Sequence, residues 1–244
     1  MHPFIAPLIV SSTIAALAVA SVIAGLGQPG PAPSAGPVPL SPAAARAETT
    51  PRAKIAPKRP RAAVRWRQSR SVGHHSNGSL NQGVQLPPSG EDFLTWDFVR
   101  ESSPNRHWRR WGHDRLIRKT LRIAKGHRRM YPDAPRLVIG DISRPRGKNF
   151  GPQFGEPGHA SHQVGLDVDI YYPRKDRREI QPFTAAQIDR RLSQDLVNRF
   201  VAAGASKVFV GPNTGLTGPK GVVVPLRLHD DHLHARFPTK PSGR

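Results

Sequence analysis

The chain has 244 residues, a formal net charge of +20 and no cysteine. Disulfides therefore cannot support the fold, and no thiolate is available for catalysis or for metal binding. The length suits one ordinary domain with a tail, or two small domains. The charge predicts a polyanionic partner, either nucleic acid or an envelope polymer bearing phosphates or carboxylates, because a long-range field does not distinguish them.

Residues 8–27 carry no charge and are rich in Ala, Val and Ile, enough to cross a bilayer as a helix. Residues 1–27 thus read as an export signal or a membrane anchor, and this is the one membrane contact expected. Ala45-Arg46-Ala47 offers a small-x-small cleavage site, though far beyond the apolar run. The location expected is extracytoplasmic: periplasm, cell wall or secreted. Residues 28–70 are rich in Pro, Ala and Arg with no periodic apolar pattern, which describes a basic tether. Within it, residues 52–70 hold eight Lys or Arg and no acid. No basic motif is interleaved with aromatics, so nucleic acid is not the expected partner.

From residue 71 apolar runs and turn signals alternate, and the folded domain is placed at 71–238, with 239–244 a tail. Residues 113–129 predict a helix, with Asp114 early, apolar positions at helical spacing and basic residues late. A second helix is predicted over 184–203: Thr184-x-x-Gln187 has the form of a capping box, Ile188, Leu192, Leu196 and Phe200 recur every four residues, and Gly204 supplies a stop. Strands are predicted at 136–142, 165–172, 207–211, 222–228 and 231–236. The expected fold is α+β, a small and mainly antiparallel sheet with helices packed on one face.

Two segments carry chemistry. In a strand over 165–172, Leu166, Val168 and Ile170 face the core while Asp167, Asp169 and Tyr171 line the opposite side. His162 precedes Asp169 by seven residues, and Gly165 between them permits the turn that brings the imidazole back over the strand. In His229-Asp230-Asp231-His232-Leu233-His234, alternation puts His232 and His234 on one face. Catalytic zinc takes three protein ligands of nitrogen or oxygen type and keeps one position open, a requirement two histidines and an aspartate meet without cysteine. Alone, His-x-His or Asp-x-Asp is as well explained by a solvated strand end; their co-occurrence is what points to a metal.

These residues resemble the superfamily of lysostaphin-type peptidases, D-alanyl-D-alanine peptidases and the hedgehog signalling domain, and more closely the penicillin-insensitive murein endopeptidases. The resemblance runs through Ser71-Val72-Gly73, Asn77-Gly78-Ser79-Leu80, Arg110-Trp111-Gly112-His113, Gly140-Asp141-Ile142-Ser143-Arg144-Pro145-Arg146-Gly147, Gly158-His159-Ala160-Ser161-His162-Gln163, Gly165-Leu166-Asp167-Val168-Asp169 and His229 to His234. It implies a zinc site on the sheet, with His162, Asp169 and His234 as ligands and His159 as a further ligand or a supporting group. It also implies His232 as the catalytic histidine, assisted by His229. Two departures stand out: Ser79 lies where some relatives have cysteine, and the stretch Lys148–Pro157 is longer than expected.

On that basis His232 is the expected general base, next to ligand His234 but free of the metal, with Asp230 or Asp231 fixing its tautomer. Arg146, His159 and His229 are unranked candidates for stabilising the oxyanion. Asp167 is expected to be a supporting or structural carboxylate. The substrate implied by the resemblance is a cross-linked murein (peptidoglycan) peptide, cut at the amide between D-alanine and the diamino acid of the neighbouring stem. Two rivals stay open. A D,D-carboxypeptidase or dipeptidase acting on stem ends shares the His162 to Asp169 spacing but usually adds a Glu-x-x-His base motif, whereas residues 180–244 contain no glutamate. The other is a non-catalytic, zinc-stabilised wall-binding module.

Overall fold

A computed structural model describes residues 63–154 and 158–240. The apolar run 8–27, most of the 28–70 tether and the end of the 239–244 tail lie outside the described residues. The described strands are β1 (Arg70–His74), β2 (Asn77–Asn81), β3 (Val84–Gln85), β4 (Phe93–Thr95), β5 (Trp111–Gly112), β6 (Leu137–Ile139), β7 (Asp167–Tyr171), β8 (Lys207–Val210), β9 (Val223–Pro225) and β10 (His232–Arg236). The helices are α1 (Asp114–Met130) and α2 (Arg190–Ala202).

Six strands form the main sheet in the order β4-β6-β7-β10-β8-β9. Its three central junctions are antiparallel, and the outer pairs β4 with β6 and β8 with β9 are parallel. The alternation expected of 165–172 holds: Leu166, Val168 and Ile170 are buried in one core with Leu233 and Ala235 of β10 and with apolar residues of both helices. The sheet therefore has one greasy face under α1 and α2 and one polar face bearing the acids and histidines. The other strands pair as the two-stranded ribbons β1-β2 and β3-β5.

α1 begins where expected. The His113 imidazole accepts from Arg115 N–H as the N-cap, Asp114 opens the first turn, and Arg128 and Arg129 close the last. Its buried residues Leu116, Ile117, Thr120, Ile123, Ala124 and His127 form one stripe against the sheet.

The second helix starts later than expected. Thr184 makes no capping hydrogen bond; residues 185–187 form a single 3-10 turn, and α2 begins after Asp189, whose carboxylate accepts from Leu192 N–H. Competing partners explain the shift. The Gln187 amide oxygen accepts from Arg174 Nη1 and Phe183 N–H, while Lys175 N–H donates to the Gln187 carbonyl and Asp189 N–H to the Pro173 carbonyl. Ile188 and Asp189 are thereby held extended against 173–175 and cannot enter the helix. Leu192, Leu196 and Phe200 still bury one face, each worth about 1.5–3 kcal/mol when fully removed from water. Gly204, at φ 86°, stops the helix as expected.

Candidate metal centre

The register of β7 against β10 builds the centre. His234 lies directly opposite Asp169, His232 opposite Tyr171 and Arg236 opposite Asp167. Because both strands alternate, all six side chains project from the polar face.

His162 reaches the same spot from the loop that follows β6. Its backbone has φ 66°, the left-handed region rarely adopted by a non-glycine residue. The surroundings hold it there: His162 Nδ1–H donates to the Ile142 carbonyl at 2.6 Å, the Ser143 hydroxyl donates to the His162 carbonyl, and Gln163 N–H donates to the His75 carbonyl at 3.0 Å. Gly165 is the turn that allows the return, at φ 68°, where an added Cβ would sit 2.9 Å from the His113 nitrogen.

Three atoms converge. His162 Nε2 is 3.4 Å from Asp169 Oδ1, His234 Nδ1 is 3.3 Å from the same oxygen, and the two nitrogens are 3.3 Å apart. Zinc bonds of about 2.0–2.1 Å in a tetrahedron require donor separations of about 3.3–3.4 Å, so the triangle has the size that ion needs. The remaining hydrogen bonds fix the tautomers. His162 uses its Nδ1 on Ile142 and His234 uses its Nε2 on Asp167 Oδ1 at 2.8 Å, which leaves His162 Nε2 and His234 Nδ1 as the atoms facing inward. Asp169 Oδ1 is buried and accepts no hydrogen bond. Two ring nitrogens and a buried, unpartnered carboxylate oxygen on one point are a donor set that fits a divalent cation.

The electrostatics agree. Burial alone would raise Asp169, yet the facing histidines, His162 foremost, hold it well below the usual carboxylate range. Burial pulls His162 down. Burial also opposes the charged form of His234, but its hydrogen bond to Asp167 and the Asp169 carboxylate beside it outweigh this and lift it to about 9.

The other histidines border the triangle. His232 Nδ1–H donates to Asp231 Oδ1 at 2.7 Å, leaving its Nε2 3.9 Å from Asp169 Oδ1. Asp230 is otherwise engaged, by the backbone and side-chain nitrogens of Asn213 at 3.0 and 2.6 Å, so Asp231 alone orients His232. Burial opposes protonation of His232, but Asp231 and Asp169 raise it above the ordinary histidine value. His229 stacks on His232 at 4.7 Å and is pushed down to about 4, chiefly by burial.

His159 places Nδ1 3.9 Å from Asp169 Oδ2, and with His162 and Asp169 forms a group whose ligand atoms all lie within 4.8 Å. Its Nε2 is taken by Asp141 Oδ2 at 2.7 Å. Arg146 is the one expected site residue not brought to the cluster: it is exposed in the turn 144–147 and contacts none of these histidines among the described residues.

Five supporting side chains were not singled out from sequence. Asp141 is gripped through both oxygens by Arg109, which is fully buried beside Phe150, and so links His159 to the core. His75, from the turn between β1 and β2, donates Nδ1–H to Asp167 Oδ2 at 2.6 Å, and Arg236 donates Nε–H to Asp167 Oδ1 at 2.8 Å. Phe150, within the longer stretch 148–157, packs on His159 at 4.9 Å. Ser79 pairs through its backbone with Gly147, so contact between β2 and that loop is made by a bridge of main chain.

The family model described as penicillin-insensitive murein endopeptidase matches residues 71–212 of the 244. The chain belongs to that family. A penicillin-insensitive murein endopeptidase of Haemophilus influenzae is 35% identical over 100 residues, covering 41% of this chain and 30% of the relative. One of the same description from Escherichia coli O1:K1 / APEC is 31% identical over 131 residues, covering 54% and 41%. The chain thus spans less than half the length of these curated relatives. Within this family match lie His159, His162 and Asp169, whereas His229, His232 and His234 follow it along the chain; the pairing of β7 with β10 unites the two groups.

Proposed function

We propose that this chain is a zinc-dependent endopeptidase acting outside the cytoplasmic membrane, which hydrolyses the murein cross-link at the amide between D-alanine and the diamino acid of the neighbouring stem. The metallopeptidase domain is assigned to 71–238, following an export signal or anchor and a basic tether that favours anionic envelope polymers. The reading rests on one observation: His162 Nε2, His234 Nδ1 and Asp169 Oδ1 form a triangle of 3.3–3.4 Å edges with an oriented, uncommitted histidine nitrogen beside it.

His162, Asp169 and His234 would hold the zinc, with His159 adjoining them. When bound, the ion supplies a Lewis acid for the scissile carbonyl and lowers the pKa of water from about 16 to about 7. His232 Nε2 takes the proton from the attacking water, and Asp231 stabilises the imidazolium that results. The proton then passes from His232 to the leaving amine. Developing negative charge on the carbonyl oxygen is met by His159 and His229, which adjoin the cluster; Arg146, on its exposed turn, is the more distant of the three candidates. Buried Arg109 and Asp141 keep His159 in place, and Asp167 does the same for His234.

The test separates ligands from base. His162→Ala and His234→Ala are expected to abolish both zinc retention and hydrolysis, whereas His232→Ala retains zinc, measured by elemental analysis, and loses activity by about 10²- to 10⁴-fold. Full zinc occupancy with normal activity in the His234 variant would sink the ligand assignment.

A further inference from the structure

Beside the metal triangle runs an open groove of about 750 Å³, lined among others by Phe183, Pro212, Arg227, Leu228, Asp230 and Asp231. It is continuous with the site, because Asp231 both lines it and orients His232. Its walls are braced. Asp230 is locked to Asn213 by two hydrogen bonds, and Gln181 on the facing side accepts from Trp96 Nε1–H at 3.0 Å.

The rim of this groove breaks two rules of a stable surface at one residue. Leu228 is 89% exposed, and its backbone sits at φ 65°. Exposure of a leucine to that degree buries almost nothing, and the left-handed conformation costs stability that a glycine would not incur. Among the described residues Leu228 makes no hydrogen bond that would offset either cost. Across the groove Phe183 is also exposed, at 55%. Two unburied apolar side chains and a strained backbone beside a reacting centre are what contact with an absent ligand accounts for. Arg227, which precedes Leu228 and also lines the groove, pairs with no carboxylate among the described residues.

We propose that this groove binds the murein stem peptide, and that Leu228 and Phe183 are its apolar substrate contacts, with Arg227 receiving the carboxylate of the diamino acid. The inference rests on the endopeptidase reading and adds the residues that select its substrate. Alanine methyls and the aliphatic chain of a diamino acid match the apolar rim, and the neighbouring carboxylate matches the free guanidinium. Asp231 lines the groove and orients His232, so a stem lying in it runs beside the base.

The test uses the full chain carrying His232→Ala, which leaves substrate intact, titrated calorimetrically with a purified cross-linked muropeptide dimer. Adding Leu228→Gly is expected to weaken binding about tenfold, the scale of one lost apolar contact in a binding site. Its melting temperature should stay level or rise, since glycine relieves the left-handed strain. Phe183→Ser should weaken binding in the same direction, and Arg227→Ala should do so for the dimer but not for one whose diamino acid carboxyl is amidated. An unchanged Kd in the Leu228 and Phe183 variants, or no binding by the parent, overturns the groove assignment. Weaker binding accompanied by a lower melting temperature overturns it too, because that marks a structural role. Turnover by the His232-containing chain reports separately: binding without turnover leaves the groove standing and removes the endopeptidase reading.

Discussion

Asp167 is the carboxylate on which the geometry of the centre most depends without itself facing the metal triangle. Its Oδ1 accepts from His234 Nε2–H and Arg236 Nε–H, both at 2.8 Å, and its Oδ2 from His75 Nδ1–H at 2.6 Å. It is fully buried. Asp167→Asn keeps the shape and can keep its amide oxygen towards His234 and Arg236, but it turns an NH2 on His75 and removes the charge that makes His234 a strong donor of electrons to a metal. Supporting partners of this kind contribute about 10- to 100-fold to metal affinity, or about 1.4–2.7 kcal/mol. Asn should fall at the lower end and Asp167→Ala, which also releases the imidazole orientation, at the upper. Alanine further leaves Arg236 without its carboxylate and His75 Nδ1–H without its acceptor, so its melting temperature should drop as well. Zinc affinity is read by competition with a fluorescent chelator, alongside thermal melting of each variant. Wild-type affinity in both variants would refute the claim that Asp167 acts through His234.

Removing Arg109 strips the buried Asp141 of its main partner, and Arg109→Ala should destabilise the fold by about 3–5 kcal/mol in chemical denaturation, the cost of breaking a buried pair. A loss no larger than that of an exposed arginine contradicts this. Burial holds the His127 imidazole below its ordinary value despite its 2.8 Å contact with Asp195 between the two helices. The folded state therefore favours the neutral ring, so this contribution is fully present above the unfolded value of about 6.5 and declines as pH falls towards the lower folded value. His127→Gln should flatten that portion of a stability-versus-pH curve; a slope the substitution leaves intact contradicts it.

What could be read from sequence was what depends on neighbours in the chain. Period-two alternation put Asp167 and Asp169, and likewise His232 and His234, on the polar face, since a strand side chain's direction follows from its position. Helix α1 was legible because its charge bias and apolar stripe are local. The start of α2 was not: the capping-box pattern at Thr184 was outweighed by tertiary partners of Gln187 and Asp189 contributed by Pro173–Lys175. The outer strand β4, three residues long, has too little pattern to register. Long-range partners were also hidden. Asp141 meets Arg109 and His159 at separations of 32 and 18 residues, and His75 meets Asp167 across 92, distances over which spacing carries no signal. The choice of Asp231 over Asp230 as the partner of His232 required seeing that Asn213 occupies the other acid.

Metal-dependent cleavage of the murein cross-link is tested by incubating the full chain with intact cross-linked murein, with and without a zinc chelator, followed by mass analysis of the released muropeptides. Cross-linked dimers should be converted to monomers, a conversion abolished by the chelator and restored by added zinc. Dimers left unchanged by protein that demonstrably carries zinc, or conversion that the chelator does not affect, would contradict it.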